Sequence, residues 1–214
     1  YNKDSASSTI WSFKVIANAS CPGIPTVLYE GTLYNTVQIG NQCWLKENLN
    51  IGIMVPSMQE AKNDGKIEKY CIQNNEESCK KYGGLYQWNE AMAFSALAGS
   101  RGICPEGWHI PTLSDFNKLT IAVTEDGNTL KNIGEGNSSE YGIGTNTSGF
   151  SALLSGWRSQ TGDLNLGYTS FWSSTTNETD TQFAHYLRLT DGDPSISQFY
   201  YYKNNGFGIR CIKD

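Results

Sequence analysis

The sequence predicts an α+β domain with two helices and several antiparallel strands, held together by disulfides. Helical patterns occur only in the middle of the chain, whereas alternating strand patterns dominate its second half. Six cysteines form an even set, none sits in a CxxC pair, and only two histidines exist, so the spacing of a zinc site is absent. Together with a low charged content of 17%, this cysteine usage favours an exported chain.

Composition also narrows the classes of function. The chain has 214 residues, of which 38% are hydrophobic, enough for one sizeable core. A formal net charge of -5 without a Lys/Arg cluster argues against nucleic acid or an anionic membrane as the partner. The apolar runs are too short to span a bilayer. The chain opens at Tyr1 on polar residues, so an exported protein would have its leader outside this sequence.

Two β segments are predicted before the helices. Residues 9–17 (TIWSFKVIA) alternate apolar and polar side chains. They are either a strand that docks on this domain's own sheet or the terminal strand of a preceding β-sandwich domain. Residues 1–17 as a whole are then either a linker or that terminal strand. Residues 36–40 predict a second β segment, and the Gly40-Asn41 dipeptide predicts a tight hairpin turn.

The middle of the chain predicts an acidic loop and two helices. Residues 74–78, between Cys71 and Cys79, read as a turn-rich tip that is either solvated or a calcium site. Residues 88–97 predict a helix with Asn89 and Glu90 on its outer side. Thr112 is a good N-cap, and the apolar spacing over residues 113–121 predicts a second amphipathic helix.

The second half of the chain is predicted to contain loops and strands. Residues 134–167 are rich in Gly, Asn, Ser and Thr, and such long loops are usually functional or disordered. Residues 170–175 and 183–189 predict strands, and a turn follows at residues 191–194. Residues 199–202 and 206–212 predict a final hairpin.

Several motifs resemble those of one family. Residues 36–49 (TVQIGNQCWLKENL) are similar to the opening signature of the Fibrobacter succinogenes major paralogous domain. Its middle signatures resemble residues 82–91 (YGGLYQWNEA) and 104–112 (CPEGWHIPT), and its closing ones resemble residues 171–175 (FWSST) and 205–211 (NGFGIRC). The resemblance implies that residues 18–214 form one domain of this family.

The resemblance implies a fold similar to C-type-lectin-like domains, in an exported or surface lipoprotein of the Bacteroidota or related bacteria. It also implies a preceding Ig-like domain as the source of the N-terminal strand. The fold similarity suggests a disulfide that joins the middle of the chain to its end. The cysteines then pair as Cys104–Cys211, Cys21–Cys43 and Cys71–Cys79, although about 15 connectivities are possible for six cysteines.

One departure from the pattern, and the pairing of the cysteines, limit what the resemblance implies. Sugar-binding C-type lectins ligate calcium and sugar through Glu-Pro-Asn or Gln-Pro-Asp and a Trp-Asn-Asp triplet, and this chain has neither. Calcium-dependent sugar binding of that kind therefore does not carry over. The fold also resembles that of formylglycine-generating enzymes, whose chemistry uses cysteines, and six paired cysteines would leave no thiol for it.

The titratable residues do not predict an enzyme. His109 lies at a strand-to-helix boundary, where a structural role fits, and His185 lies on an alternating strand. GxSxG, P-loop and HExxH motifs are absent. Asp191 and Asp193 resemble half of a calcium loop, but the distal Glu is missing, so a plain turn is the alternative. Calcium is the one candidate cofactor, and no catalytic residue is predicted.

The predicted ligand-binding residues are mainly aromatic. Trp157, Arg158, Tyr168 and Trp172 flank the long Gly/Asn-rich loop, and Asp191 and Asp193 follow. Aromatic faces stack on sugar rings, and Arg or Asn supplies hydrogen bonds. The alternative is that Trp157 and Trp172 belong to the core.

Three functions remain for comparison with the structure. The first is an extracellular, non-enzymatic module at the cell surface that binds carbohydrate or a surface glycoprotein. The second is a structural or adhesive subunit that binds other proteins or itself. The third, an enzyme, requires an unpaired cysteine or a buried carboxylate cluster.

Overall fold

The computed structural model describes residues 19–136 and 141–214, and its architecture is mainly β. The predicted strand at residues 9–17 lies outside the described residues. Within them, the helices are α1 (Glu76–Tyr82), α2 (Trp88–Ala91) and α3 (Leu113–Ala122). The strands are β1 (Thr26–Tyr29), β2 (Thr32–Ile39), β3 (Gln42–Leu45), β4 (Ile53–Met54), β5 (Glu68–Lys69), β6 (Tyr86–Gln87), β7 (Trp108–His109), β8 (Trp157–Arg158), β9 (Leu164–Asn165), β10 (Tyr168–Thr176), β11 (Phe183–Thr190), β12 (Ile196–Tyr202), β13 (Gly206–Phe207) and β14 (Ile212–Lys213).

Three antiparallel sheets organise the molecule. Their strand orders are β1-β2-β3-β14-β7, β10-β11-β12 and β6-β13-β8-β9. A short parallel pair, β4-β5, lies beside them. The final strand β14 lies inside the first sheet between β3 and β7, so strands from the first and last parts of the described chain belong to one sheet.

The hairpin predicted at Gly40-Asn41 is confirmed. Strands β2 and β3 pair antiparallel up to the Ile39–Gln42 pair, and Gly40 has a φ of 56°. That left-handed backbone is open to glycine and unfavourable for most other residues. The strands predicted at residues 170–175 and 183–189 are also confirmed, as β10 and β11.

The six cysteines form the three pairs that the resemblance suggested. These are Cys21–Cys43, Cys71–Cys79 and Cys104–Cys211. The last of them joins the segment before β7 to the segment before β14, over a sequence separation of 107. It therefore links the middle of the chain to its end, as expected.

The β10-β11-β12 sheet separates two hydrophobic cores. Trp172 and Tyr186 on one face of the sheet pack into a core that also contains Trp88 and Trp108. Side chains on the other face, including Leu187, pack into a second core around Trp44, Phe116 and Phe150. Strands β10 and β11 are therefore covered on both sides.

Helix α3 begins where the sequence predicted. The Thr112 hydroxyl accepts a hydrogen bond from the Asp115 amide, and the Asp115 carboxylate accepts one from the Thr112 amide. His109 lies between the carboxylates of Asp115 and Asp214, at 3.3 Å and 2.7 Å. Hydrogen bonding to Asp115 raises the pKa of His109, and this contact ties β7 to the start of α3.

The helix predicted over residues 88–97 is wrong in length and orientation. Helix α2 ends at Ala91, because Ala93 and Phe94 adopt φ values of 49° and 59°, which no right-handed helix contains. Glu90, expected on the outer side, is buried. Its neighbour Asn89 accepts a backbone hydrogen bond from Phe94 that closes the turn.

Two other predictions need correction. The acidic stretch at residues 74–78 does not form a loop tip: Asn75 caps α1, and Glu76 and Glu77 occupy its first turn, where carboxylates favour the helix dipole. The final hairpin is also absent, because β12 pairs with β11 while β13 pairs with β6 and β8. The helices of the described chain are all too short and too polar to cross a membrane.

Candidate functional site

A strand of exposed aromatic side chains lies at the edge of the β10-β11-β12 sheet. Four consecutive residues of β12, Phe199 to Tyr202, are each 39–53% exposed. Because side chains alternate along a strand, Phe199 and Tyr201 lie on one face and Tyr200 and Tyr202 on the other. We call residues 199–202 the aromatic strand. Aromatic surface of this extent on a folded domain commonly marks a binding site.

Two of the predicted ligand residues adjoin the aromatic strand. Trp157 stacks on Tyr168 with ring centroids 5.9 Å apart, and it forms a T-shaped pair with Tyr201 with centroids 6.1 Å apart. The guanidinium of Arg188 lies 4.9 Å from the Tyr168 ring and 5.5 Å from that of Phe199. Trp157 and Tyr168 are both half-buried, so this cluster is partly open to solvent.

The other two predicted residues on this side, Arg158 and Trp172, are interior. Trp172 is 0% exposed and packs on Phe207, so the core alternative is correct for it. Arg158 is also 0% exposed. Its guanidinium donates to the carbonyl oxygens of Ser57 and Asn204 and to Glu60 at 2.9 Å. As placed, neither side chain is accessible to a ligand, and Arg158 instead holds loops together.

A polar cleft of about 490 Å³ opens beside the end of the aromatic strand. Its lining is dominated by amide and carboxylate side chains, with two aromatic rings and one ammonium group. We call it the amide cleft. Its lining residues are Glu60, Ala61, Gln87, Asn89, Glu90, Phe94, Thr181, Gln182, Tyr202, Lys203 and Asn204.

Hydrogen bonds across the amide cleft hold its walls in place. The carbonyl oxygen of Asn204 accepts from Gln87 Nε2 and from Arg158 Nη1, both at 2.9 Å. The carbonyl oxygen of Lys203 accepts from the Trp88 amide, and the Lys203 ammonium lies 3.9 Å from the Trp88 ring. The cleft is therefore pre-formed, which reduces the entropy lost when a ligand binds.

Glu90 is the one strongly perturbed carboxyl group that lines the amide cleft. It is 3% exposed, its Oε1 accepts from the Glu68 amide at 3.2 Å, and its Oε2 has no partner within the described chain. Burial raises the pKa of Glu90 to about 7. Perturbed buried groups of this kind cluster at functional sites.

The predicted calcium ligands Asp191 and Asp193 lie around a buried lysine. The Lys131 ammonium donates to the carbonyl oxygens of Gly142, Thr190 and Asp193, at 2.7–2.9 Å. Lys131 is 0% exposed, and burial lowers its pKa, although both aspartates oppose this. The positive charge beside Asp191 and Asp193 therefore comes from the Lys131 side chain.

The acidic residues of the predicted loop tip are also engaged by lysines. Glu76 pairs with the buried Lys69 at 2.7 Å, and Glu77 pairs with Lys80 at 2.6 Å. Across residues 19–136 and 141–214, no group of three or more His, Cys, Asp or Glu side chains has the arrangement of a metal site.

The sequence interpretation missed both the aromatic strand and the amide cleft. The run Phe-Tyr-Tyr-Tyr at residues 199–202 held a usable signal: a strand with aromatic residues on both faces needs two cores or a solvent-exposed position. The cleft residues offered no such signal, because they come from four separate segments of the chain.

The fold and the site define a disulfide-linked, mainly β domain that carries an exposed aromatic strand next to a pre-formed polar cleft. The model of the Fibrobacter succinogenes major domain matches residues 37–213, and the chain belongs to that family. Neither the curated proteins nor the solved structures compared with the chain give a match.

Proposed function

We propose that this chain is an extracellular, non-enzymatic binding module that recognises carbohydrate or a surface glycoprotein. The observation that carries the proposal is the contact between the aromatic strand and the amide cleft, which meet at Tyr202. This combination suits sugar recognition: an aromatic ring can stack on the apolar face of a pyranose, beside amide and carboxylate groups that hydrogen-bond its hydroxyls.

The site differs from the one that the sequence suggested. Trp157 and Tyr168 extend the aromatic surface around Tyr201, whereas the hydrogen-bonding groups come from Asn89 and Gln182. Arg158 contributes from behind, because it fixes Glu60 and the Asn204 carbonyl in the cleft wall.

A C-type-lectin-like fold in an exported protein is part of the proposal. The supporting features are two cores around an antiparallel sheet, mid-chain helices and a disulfide between Cys104 and Cys211 near the end of the chain. Three disulfides are compatible with an extracellular location, because reducing compartments do not maintain them.

The arrangement of carboxylates supports binding rather than hydrolysis. All six cysteines are paired, so the described chain offers no thiol nucleophile. Glu68 and Glu90 are both buried, which is the feature the enzyme hypothesis required. However, acid–base hydrolysis of a glycoside uses two available carboxyl groups. The Glu68 carboxylate accepts from the Lys62 amide, and that of Glu60 is engaged by Arg158 and Gln87.

The experiment is a glycan array probed with the intact protein and with Tyr202→Ala and Gln182→Ala variants. Tyr141→Ala is the matched control, because Tyr141 is 79% exposed and lies outside the cleft. We expect a subset of glycans to bind, the two cleft variants to lose at least tenfold in affinity and the control to be unchanged. A chelator arm tests the calcium dependence separately.

Other outcomes of the array would redirect the proposal. Binding that all three variants retain would move the site away from the amide cleft. No binding to any glycan, with concentration-dependent self-association in ultracentrifugation, would favour the structural or adhesive subunit, whose partner would then contact the aromatic strand. Release of reducing ends from a bound glycan would overturn the non-enzymatic assignment.

A further inference from the structure

A second concave site lies on the part of the molecule formed by β2, β3 and the end of α1. It is a pocket of about 430 Å³ that shares no lining residue with the amide cleft. Four of its lining side chains are cationic and one is anionic: Lys46, Lys80, Lys81 and Arg210 against Glu47. On a chain whose formal net charge is -5, this is a local excess of positive charge.

Two carboxylates near this pocket have partners of their own, and one of these partners is the pocket's own Lys80. Glu47 accepts hydrogen bonds from the backbone and side-chain nitrogens of Asn35, at 2.7 and 2.8 Å. Glu77 pairs with Lys80. No carboxylate of the described chain lies within ion-pair distance of Lys46, Lys81 or Arg210.

Arg210 is a buried cation, and one of its five N–H donors makes no hydrogen bond with the described residues. It is 1% exposed, and its Nη1 donates to the carbonyl oxygens of Leu45 and Phe150. Its Nε and Nη2 both donate to Asn48 Oδ1, at 3.0 and 2.7 Å. A guanidinium has five N–H donors, so one Nη2 hydrogen has no acceptor among the described residues.

Burial lowers the pKa of Arg210 to about 9, against an opposing effect of Glu47. A buried charge without a counter-charge is expensive, and an anion bound next to it would offset that cost. The pocket also contains neutral donors suited to oxygen atoms, namely the side-chain amides of Asn50 and Asn132.

We propose that the pocket between Lys46, Lys81 and Arg210 binds an oxyanion, and that its source is the carboxylate or sulfate group of an acidic glycan. The identification of the glycan rests on the proposed function, whereas the oxyanion site stands on the pocket's own charges. Lys46 and Lys81 contact the anion at the rim, and Arg210 supplies fixed positive charge at the floor.

The test is an NMR titration of the intact, ¹⁵N-labelled protein with sodium sulfate, sodium glucuronate and, as the neutral reference, glucose. We expect saturable shifts at the amides of Lys46, Asn48 and Ser151 with both anions and none with glucose. The double variant Lys46→Gln/Lys81→Gln is expected to weaken anion binding at least tenfold. The matched control, Lys62→Gln/Lys118→Gln, removes the same charge from exposed sites outside the pocket and is expected to bind normally.

Each other result contradicts part of the proposal. Equal weakening in both double variants would mean that only net charge matters, and no saturable shift with either anion would remove the site. Sulfate binding without glucuronate binding would overturn the acidic glycan as the source. Tyr202 lies outside this pocket, so the Tyr202→Ala variant is expected to bind the anions normally. Anion binding by this variant distinguishes a failure of the oxyanion site from a failure of the amide cleft.

Discussion

At the scale of single residues, two buried ionisable groups have different relations to their surroundings. Lys131 is satisfied by three carbonyl oxygens, whereas one oxygen of Glu90 has no protein partner within the described residues. The first arrangement stabilises a loop junction. The second costs stability whenever the carboxylate is ionised, a cost that proteins tolerate mainly at functional sites.

Glu90 makes stability depend on pH. The pKa of its carboxyl group is 4.5 in the unfolded chain and about 7 in the folded one. The neutral form is therefore favoured by folding, so stability is lost as pH rises from about 4.5 to about 7 and stays low above it. We expect Glu90→Gln to gain about 3 kcal/mol relative to the parent between pH 4.5 and pH 8.

Urea denaturation across that pH range measures the difference for Glu90→Gln. The exposed Glu125 offers a control, since Glu125→Gln is expected to show no comparable pH dependence. If the difference between Glu90→Gln and the parent is the same at both pH values, Glu90 is ionised at pH 8 without cost and the inference is wrong.

Lys131 is expected to be structural. Lys131→Met keeps the aliphatic stem but removes the donor from the carbonyl oxygens of Gly142, Thr190 and Asp193. Leaving buried acceptors unsatisfied costs stability, and we expect a loss of about 2–4 kcal/mol. Guanidinium denaturation measures it, with the exposed Lys118→Met as the control. A loss equal to that of the control would show that water replaces the ammonium.

At the scale of elements, the sequence predicted an element correctly where the residues of that element carry a strong local signal for where it starts or turns. Helix α3 has its capping residue, and the β2-β3 hairpin has its Gly40-Asn41 turn. Helix α2 has no Gly or Pro to end it. Its stop is the left-handed pair Ala93-Phe94, held by contacts such as the Ile103 amide to the Ala91 carbonyl. Contacts from distant parts of the chain cannot be read from local pattern.

The capping box of α3 can be tested directly. Thr112→Ala removes the acceptor of the Asp115 amide and the hydroxyl that donates to the Asp115 carboxylate. We expect Thr112→Ala to lower the free energy of unfolding by about 1 kcal/mol. Thr112→Ser keeps the hydroxyl and should lower it much less. Thermal denaturation followed by circular dichroism compares the two. Equal losses for both variants would mean that the methyl group, not the hydroxyl, is what stabilises this end of the helix.

At the scale of the whole molecule, the sequence interpretation identified the family and disulfide pairs but not the binding surface. The family and the disulfides rest on motifs that persist along the chain. The aromatic strand and the amide cleft depend on which strand ends at a sheet edge and which loops meet there. That arrangement is decided by three-dimensional packing, as the exposure of Tyr202 and the burial of Trp172 illustrate.

The three disulfides are expected to contribute unequally to stability. A cross-link restricts the unfolded chain more when it closes a longer loop, and the sequence separations are 107 for Cys104–Cys211 and 8 for Cys71–Cys79. Replacing both cysteines of the longer loop by alanine should therefore cost about 2 kcal/mol more than doing so for the shorter one. Urea unfolding of the two double variants gives the comparison, and a larger loss for Cys71–Cys79 would contradict it.

The same cross-links decide how the molecule would respond to a pull along its backbone. Tension applied on both sides of the described chain would pass through Cys104–Cys211 and bypass everything between them, including the aromatic strand. The chain between Cys43 and Cys71, which carries Glu60, and the chain after Cys79, which carries Gln87 and Glu90, have no such bypass. Mechanical load would thus act on the segments that carry Glu60, Gln87 and Glu90 but not on those that carry Gln182 and Tyr202, so the two sides of the amide cleft would differ in their response to force.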